Sequence, residues 1–188
     1  RERGFECTIG AQMLLLPENA AEAYDQAVRL KEIGVDYYVI KPHTQPLYSK
    51  TRLYEDFDYE QLLDLGEKLE ELNGDGFNVV FRARGMKKTF QPERGYDRCS
   101  ATPFFWSYIM SDGCVYGCLN YLLNEKFNYG NINETGFMDI WHSEKRRENF
   151  EYVRSHLDVS GCRVSCRMDE INQYLWRLSH PEDHDNFI

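Results

Sequence analysis

The sequence predicts an α/β protein in two parts, and three observations carry that prediction. Short apolar runs alternate with amphipathic helical stretches through the first half, in the order strand, helix, strand, helix, strand. Five of the six cysteines fall after residue 98. Around those cysteines a hairpin signal and further helical stretches describe a smaller α+β segment. The boundary is placed between residues 96 and 97, giving segments 1–96 and 97–188.

Thr8 to Leu16 reads as a buried strand closed by Pro17. Asn19 is placed to cap a helix in which Ala20, Ala23, Tyr24, Ala27 and Leu30 recur at helical spacing, and Gly34 supplies the stop. Val35 to Lys41 reads as a second strand, ending at Pro42. Two strands joined through a helix make a β–α–β unit, whose strands lie parallel. A loop rich in Pro, Thr and Tyr leads to Phe57. Asp58 with Gln61 three residues on is a capping-box signal, and Leu62, Leu65, Leu69 and Leu72 carry an apolar stripe to Asn73-Gly74. Asn78 to Ala83 reads as the third strand.

In the second half, apolar and polar residues alternate from Trp106 to Leu119 around Ser111-Asp112-Gly113, a hairpin signal that turns Cys118 back toward Cys99. Phe137 to Trp141 reads as a short helix, and Ser143 as the cap of a longer one through His156, with Phe137, Ile140, Trp141, Phe150 and Val153 as core residues. Ile171, Tyr174, Leu175 and Leu178 suggest a final helix before Pro181.

Composition narrows the classes of partner. Twenty-two basic against 31 acidic residues leave a formal net charge of -9, with no basic stretch to attract nucleic acid or an anionic membrane. No apolar run approaches the roughly 18 residues of a membrane span. With no apolar export segment at its start, the chain is expected in the cytoplasm. It opens on Arg1 and enters almost directly into a strand, which suggests a piece of a longer polypeptide.

The histidines, at 43, 142, 156, 180 and 184, show no HExxH spacing, and Pro181 would disrupt any helical face shared by His180 and His184. No GxSxG or P-loop run is present. The cysteines are the remaining constellation. Thirteen residues separate Cys99 from Gly113, four more separate Gly113 from Cys118, and Cys162 and Cys166 form a close pair. A disulfide framework needs an oxidising compartment, free thiols pack as small hydrophobes, zinc usually takes two close pairs, and a [4Fe–4S] cluster takes four converging thiolates. Spacing alone leaves buried thiols, zinc and a cluster open.

The surrounding residues add a resemblance. The run from Cys99 through Gly113 to Cys118 resembles the opening of a SPASM domain, the auxiliary-cluster domain of many radical S-adenosylmethionine (SAM) enzymes. Gly130-Asn131-Ile132, Ile140-Trp141-His142-Ser143 and Cys162-Arg-Val-Ser-Cys166 resemble its later segments. The likeness spans about residues 97–175. A full SPASM domain carries a further CX2C before the CX3C and another Cys after it. Here no cysteine lies between Cys118 and Cys162 or beyond Cys166.

The resemblance therefore implies one auxiliary [4Fe–4S] cluster on Cys99, Cys118, Cys162 and Cys166, as in reduced twitch-like variants, with Cys7 and Cys114 as bystanders. It implies that residues 1–96 are the C-terminal portion of a partial (β/α) barrel. Barrels place their sites at the C-terminal ends of strands, which makes Lys41, His43, Arg82 and Arg84 candidates for SAM or substrate contact. In the longer protein it implies an oxidoreductase-type radical SAM enzyme with SAM and a second [4Fe–4S] cluster, an electron donor such as flavodoxin or ferredoxin, and a peptide or small-molecule substrate such as a sugar. The initiating CX3CX2C motif is absent: Tyr121 stands where the third cysteine would follow Cys114 and Cys118, and Asp169 where it would follow Cys162 and Cys166. The rival reading is a non-catalytic module holding structural zinc.

Overall fold

A computed structural model describes residues 4, 6–90, 94–163 and 165–183; His184 lies outside the described residues. The chain divides into two compact units, residues 1–45 with 49–93, and residues 46–48 with 94–188.

The first unit is built on strands β1 (Gly10–Leu15), β2 (Tyr37–Pro42) and β3 (Asn78–Phe81). They pair in parallel in the order β1-β2-β3, with Leu14 opposite Lys41 and Ile40 opposite Phe81. Parallel neighbours require crossovers, and helices α1 (Ala23–Ile33) and α2 (Leu63–Glu70) supply them. Gly34 ends α1 at φ 86°, the left-handed conformation expected of a stop glycine. Asn19 does not cap α1: its Oδ1 accepts from the Leu16 N–H at 2.8 Å and its Nδ2 donates to Leu14 O at 3.0 Å, so it closes the end of β1. A 3-10 turn, Ala20–Glu22, occupies the stretch expected to start the helix.

Residues from all three strands and both helices meet in one core that includes Leu15, Ala27, Ile40, Leu69, Val79 and Met86. Strand β1 buries only one face, alternating outward at Gln12 and Leu14 and inward at Met13 and Leu15, rather than being buried throughout. Tyr59 ties the strand ends together. Its hydroxyl accepts from the His43 backbone N–H at 2.7 Å and donates to Leu15 O at 2.8 Å. Strand β3 stops at Phe81, two residues early, because the chain turns into helix α3 (Ala83–Phe90).

The second unit carries a three-stranded antiparallel sheet of β4 (Tyr108–Ile109), β5 (Cys114–Tyr116) and β6 (Asn128–Asn131), with β5 central. Among the described residues, four helices accompany it: α4 (Thr102–Phe105), α5 (Phe137–Trp141), α6 (Glu144–Ser155) and α7 (Asp169–Ser179). Ser143 caps α6 as its sequence position implies, its Oγ accepting from Arg146 N at 3.3 Å. Ile140 and Val153 are buried, whereas Phe137 sits at the surface, 37% exposed.

Helix α7 presents the opposite face from the one its apolar residues imply. Tyr174 and Leu178 are 62% and 63% exposed, while Asp169 and Asn172 are buried. The burial is offset by hydrogen bonds, since Asp169 Oδ1 accepts from Tyr96 OH at 2.8 Å and Oδ2 from Gln173 Nε2 at 2.9 Å. No helix among the described residues is long and apolar enough to cross a membrane.

Candidate cluster-binding site

Four loops of the second unit deliver the four cysteines. Cys99 precedes α4, and its loop is held by Asn172, whose Oδ1 accepts from the Ser100 and Ala101 backbone N–H groups at 2.7 and 2.9 Å. Cys118 follows the β4–β5 hairpin in extended conformation. That hairpin turns at Gly113, whose φ of 86° suits glycine, and is locked by Asp112 Oδ1 accepting from Cys114 N at 2.9 Å. Cys162 follows a 3-10 turn, Val159–Gly161, that Asp158 caps through Ser160 N at 2.8 Å. The Arg94 guanidinium donates to the Cys162 carbonyl. Cys166 begins the turn into α7, with its carbonyl accepting from Asp169 N at 3.1 Å.

All four cysteines line one partly enclosed cavity, together with Thr102, Tyr121 and Asn172. Cys7 and Cys114 are not among its lining residues. All six cysteines are unbridged, which removes the disulfide reading for this structure. Burial pushes the Cys118 thiol up to about 12, and burial also raises Cys162 and Cys166. Neighbouring thiols add to each shift, because charging one is opposed by its companions. A cation that replaces the protons relieves both penalties, since thiolates are the form that binds metal.

Each sulfur also has a polar neighbour. Asn172 Nδ2 donates to Cys99 Sγ at 3.5 Å, and Cys99 Sγ donates to Thr102 Oγ1 at 3.4 Å. The Tyr121 hydroxyl lies 3.4 Å from Cys162 Sγ, and Met168 N donates to Cys166 Sγ at 3.4 Å. The Asn120 backbone N–H bonds to Cys118.

The donor set bears on the choice of metal. Among the described residues, no group of three or more His, Cys, Asp or Glu is gathered to hold a single metal ion. Four thiols brought from four loops to one cavity are a donor set that a [4Fe–4S] cluster takes. The residues present therefore fit a [4Fe–4S] group.

In the first unit, the parallel register brings three of the four other candidates to the C-terminal edge of the sheet. Lys41 is half-buried on β2 opposite Leu14, and His43 follows β2, with its ring edge-on to Tyr54 at 5.4 Å. Arg82 is exposed just past β3, its N–H donating to Ile40 O at 2.9 Å. Arg84 lies instead within α3, because β3 ends before it. Sequence reasoning did not reach Asn172 or Tyr121. The available signal was the pair of polar residues Asp169 and Asn172, three apart on the helix that directly follows the last cysteine.

Residues 99–167 match the family model for SPASM, described as an iron–sulfur cluster-binding domain. No curated protein matches the chain. Among solved structures, a crystal structure of selenomethionine BtrN in an open conformation aligns over 86% of this chain and 93% of that one, at 14% identity and a TM-score of 0.31, too low to carry an argument. The four converging thiols all lie within this matched segment, which is similar to the SPASM iron–sulfur cluster-binding domain.

Proposed function

We propose that this chain is the C-terminal part of a radical SAM enzyme, in which Cys99, Cys118, Cys162 and Cys166 hold one auxiliary [4Fe–4S] cluster. The observation that carries the reading is the convergence of these four thiols on one cavity within the SPASM-matched segment. When bound, such a cluster supplies one-electron transfer or a surface against which substrate is held. The chain's own residues shape the site: the hairpin and the α7 turn set the sulfur positions, and Phe127, Leu157 and Val159 line the same cavity and limit access of water.

The first unit, on this reading, is the end of a partial (β/α) barrel. Lys41, His43 and Arg82 at its sheet edge, with Arg84 behind them, contact SAM or a peptide or small-molecule substrate in the complete enzyme. A flavodoxin- or ferredoxin-type donor would supply electrons, and a CX3CX2C segment, which this sequence lacks, would hold the second cluster that supplies SAM-cleaving chemistry. Zinc held structurally by the same thiols is the rival, and metal and sulfide analysis separates the two.

The test is chromatographic detection of 5′-deoxyadenosine under anaerobic, reducing conditions. The 188-residue chain with its cluster loaded produces none above background, because four cysteines leave no iron position for SAM. A longer protein carrying CX3CX2C produces it. Substantial production by the short chain would contradict the auxiliary assignment.

A further inference from the structure

The side chains around the four sulfurs do not contact them alike. Asn172 is 3% exposed and engages three partners with one amide. Its oxygen holds the Ser100 and Ala101 N–H groups, which fixes the amide plane, and its nitrogen is thereby aimed at Cys99 Sγ, 3.5 Å away. An amide oriented by two backbone donors cannot flip without leaving both unsatisfied. Across the same cavity, the Tyr121 ring stacks on Phe127 at 4.5 Å and 7°, which directs its hydroxyl to within 3.4 Å of Cys162 Sγ. Each donor is set by contacts independent of the sulfur it meets.

We propose that Asn172 and Tyr121 are positioning residues that set the reduction potential of the cluster, by donating hydrogen bonds to the Cys99 and Cys162 thiolates. The inference rests on the four-cysteine reading above. Hydrogen bonds to thiolate sulfur withdraw electron density and favour the reduced cluster, so their loss lowers the potential. Reduction adds one electron from an external low-potential reductant and breaks no bond. The more negative reduced state gains more from each donor than the oxidised state does. Cys118 and Cys166 meet backbone N–H groups, which side-chain substitution leaves in place. The side-chain donors are therefore the adjustable part of the potential; the Thr102 hydroxyl, 3.4 Å from Cys99 Sγ, is a third, but Asn172 and Tyr121 are the two held in place by contacts other than the sulfur.

The experiment is an anaerobic redox titration of the reconstituted 188-residue chain, monitored by electron paramagnetic resonance, with iron and sulfide quantified for every sample. Tyr121→Phe keeps the stacked ring and the neutral charge but removes the donor. It is expected to retain its iron and to shift the oxidised-to-reduced ratio at fixed ambient potential about threefold to tenfold toward oxidised, tenfold being about 59 mV for one electron. Asn172→Asp keeps an acceptor for Ser100 and Ala101, loses the N–H donor, and shifts in the same direction. Because the aspartate also introduces a charge, the tyrosine variant is the neutral arm. Variants that load a full cluster at the wild-type potential would overturn the tuning role and leave the ligand assignment standing. Wild-type protein that loads no cluster would overturn both.

Discussion

The hydroxyl of Tyr129 donates to Asn149 Oδ1 at 2.9 Å, joining strand β6 to helix α6 at a place where both residues are 2% exposed. The same asparagine donates through Nδ2 to Lys126 O at 2.7 Å, so its amide is satisfied only while the strand and the helix stay together. Tyr129→Phe leaves a buried acceptor without its donor, and should cost about 1–3 kcal/mol. Chemical denaturation of the second unit's transition measures it. Stability equal to wild type would mean that the pair contributes nothing net.

Gly113 makes a second prediction. At φ 86°, a β-carbon there is strained, and it would also collide with the side chains of Asn131 and Asn133. Those two asparagines donate to Asp112 O, at 3.0 Å each, and bind the hairpin turn to the end of β6 and the residues just after it. Gly113→Ala should destabilise the protein by more than about 1 kcal/mol and reduce cluster loading, because the hairpin leads directly to Cys118. Thermal unfolding and iron content of the purified variant give the two readings. An unchanged melting temperature would contradict the account.

The ligand set predicts a pattern across six substitutions. Ala at Cys99, Cys118, Cys162 or Cys166 should abolish the visible absorbance of the cluster and loosen the second unit, since metal binding and folding are coupled in a small ligand-dependent domain. Cys7→Ala and Cys114→Ala should leave both nearly intact. Loss of the cluster in Cys114→Ala, with retention in Cys166→Ala, would overturn the assignment.

Alkaline pH should weaken the first unit through Tyr38. Its buried hydroxyl lies 3.0 Å from Gln26 Oε1 and 2.9 Å from Met13 Sδ, and burial pushes its pKa from 10.0 to about 12. The unfolded chain releases this proton first, so the tyrosine's stabilisation is whole below about pH 10 and is lost as the pH rises toward about 12. Replacing Tyr38 by Phe should flatten that part of the stability curve in urea unfolding at stepped pH. Parallel curves for the two proteins would show that Tyr38 does not contribute to the slope.

The β–α–β half was legible because its elements obey local rules: a short apolar run in β1, although only one of its faces is buried, a glycine stop at Gly34, a leucine stripe in α2. Helix α3 was not, since it contains Gly85 and exposes Arg84 and Lys87 around a single buried Met86. A β-carbon at Gly85 would meet Pro42 at an ordinary 3.5 Å, so packing does not demand a glycine there. Strand β6 is Asn-Tyr-Gly-Asn, poor in strand formers, and exists because β5 offers it partners across a bulge. The final helix was legible from its apolar spacing, but that spacing did not show that its polar side is the buried one. Asp169 and Asn172 are buried because Tyr96 and the Cys99 loop supply their hydrogen bonds, and those partners lie about 70 residues away in sequence. The cysteine spacing was legible as a set, whereas the residues that orient the sulfurs were visible only once the loops were in place.

The central claim is that the four converging thiols hold iron and sulfide. Metal and acid-labile sulfide analysis of the chain, purified without oxygen and reconstituted with iron and sulfide, tests it most directly. The account predicts about four iron and four sulfide per chain, the stoichiometry of one [4Fe–4S] cluster, lost when Cys118 is replaced by Ala. One zinc per chain that persists through reconstitution, with no bound sulfide, would contradict it.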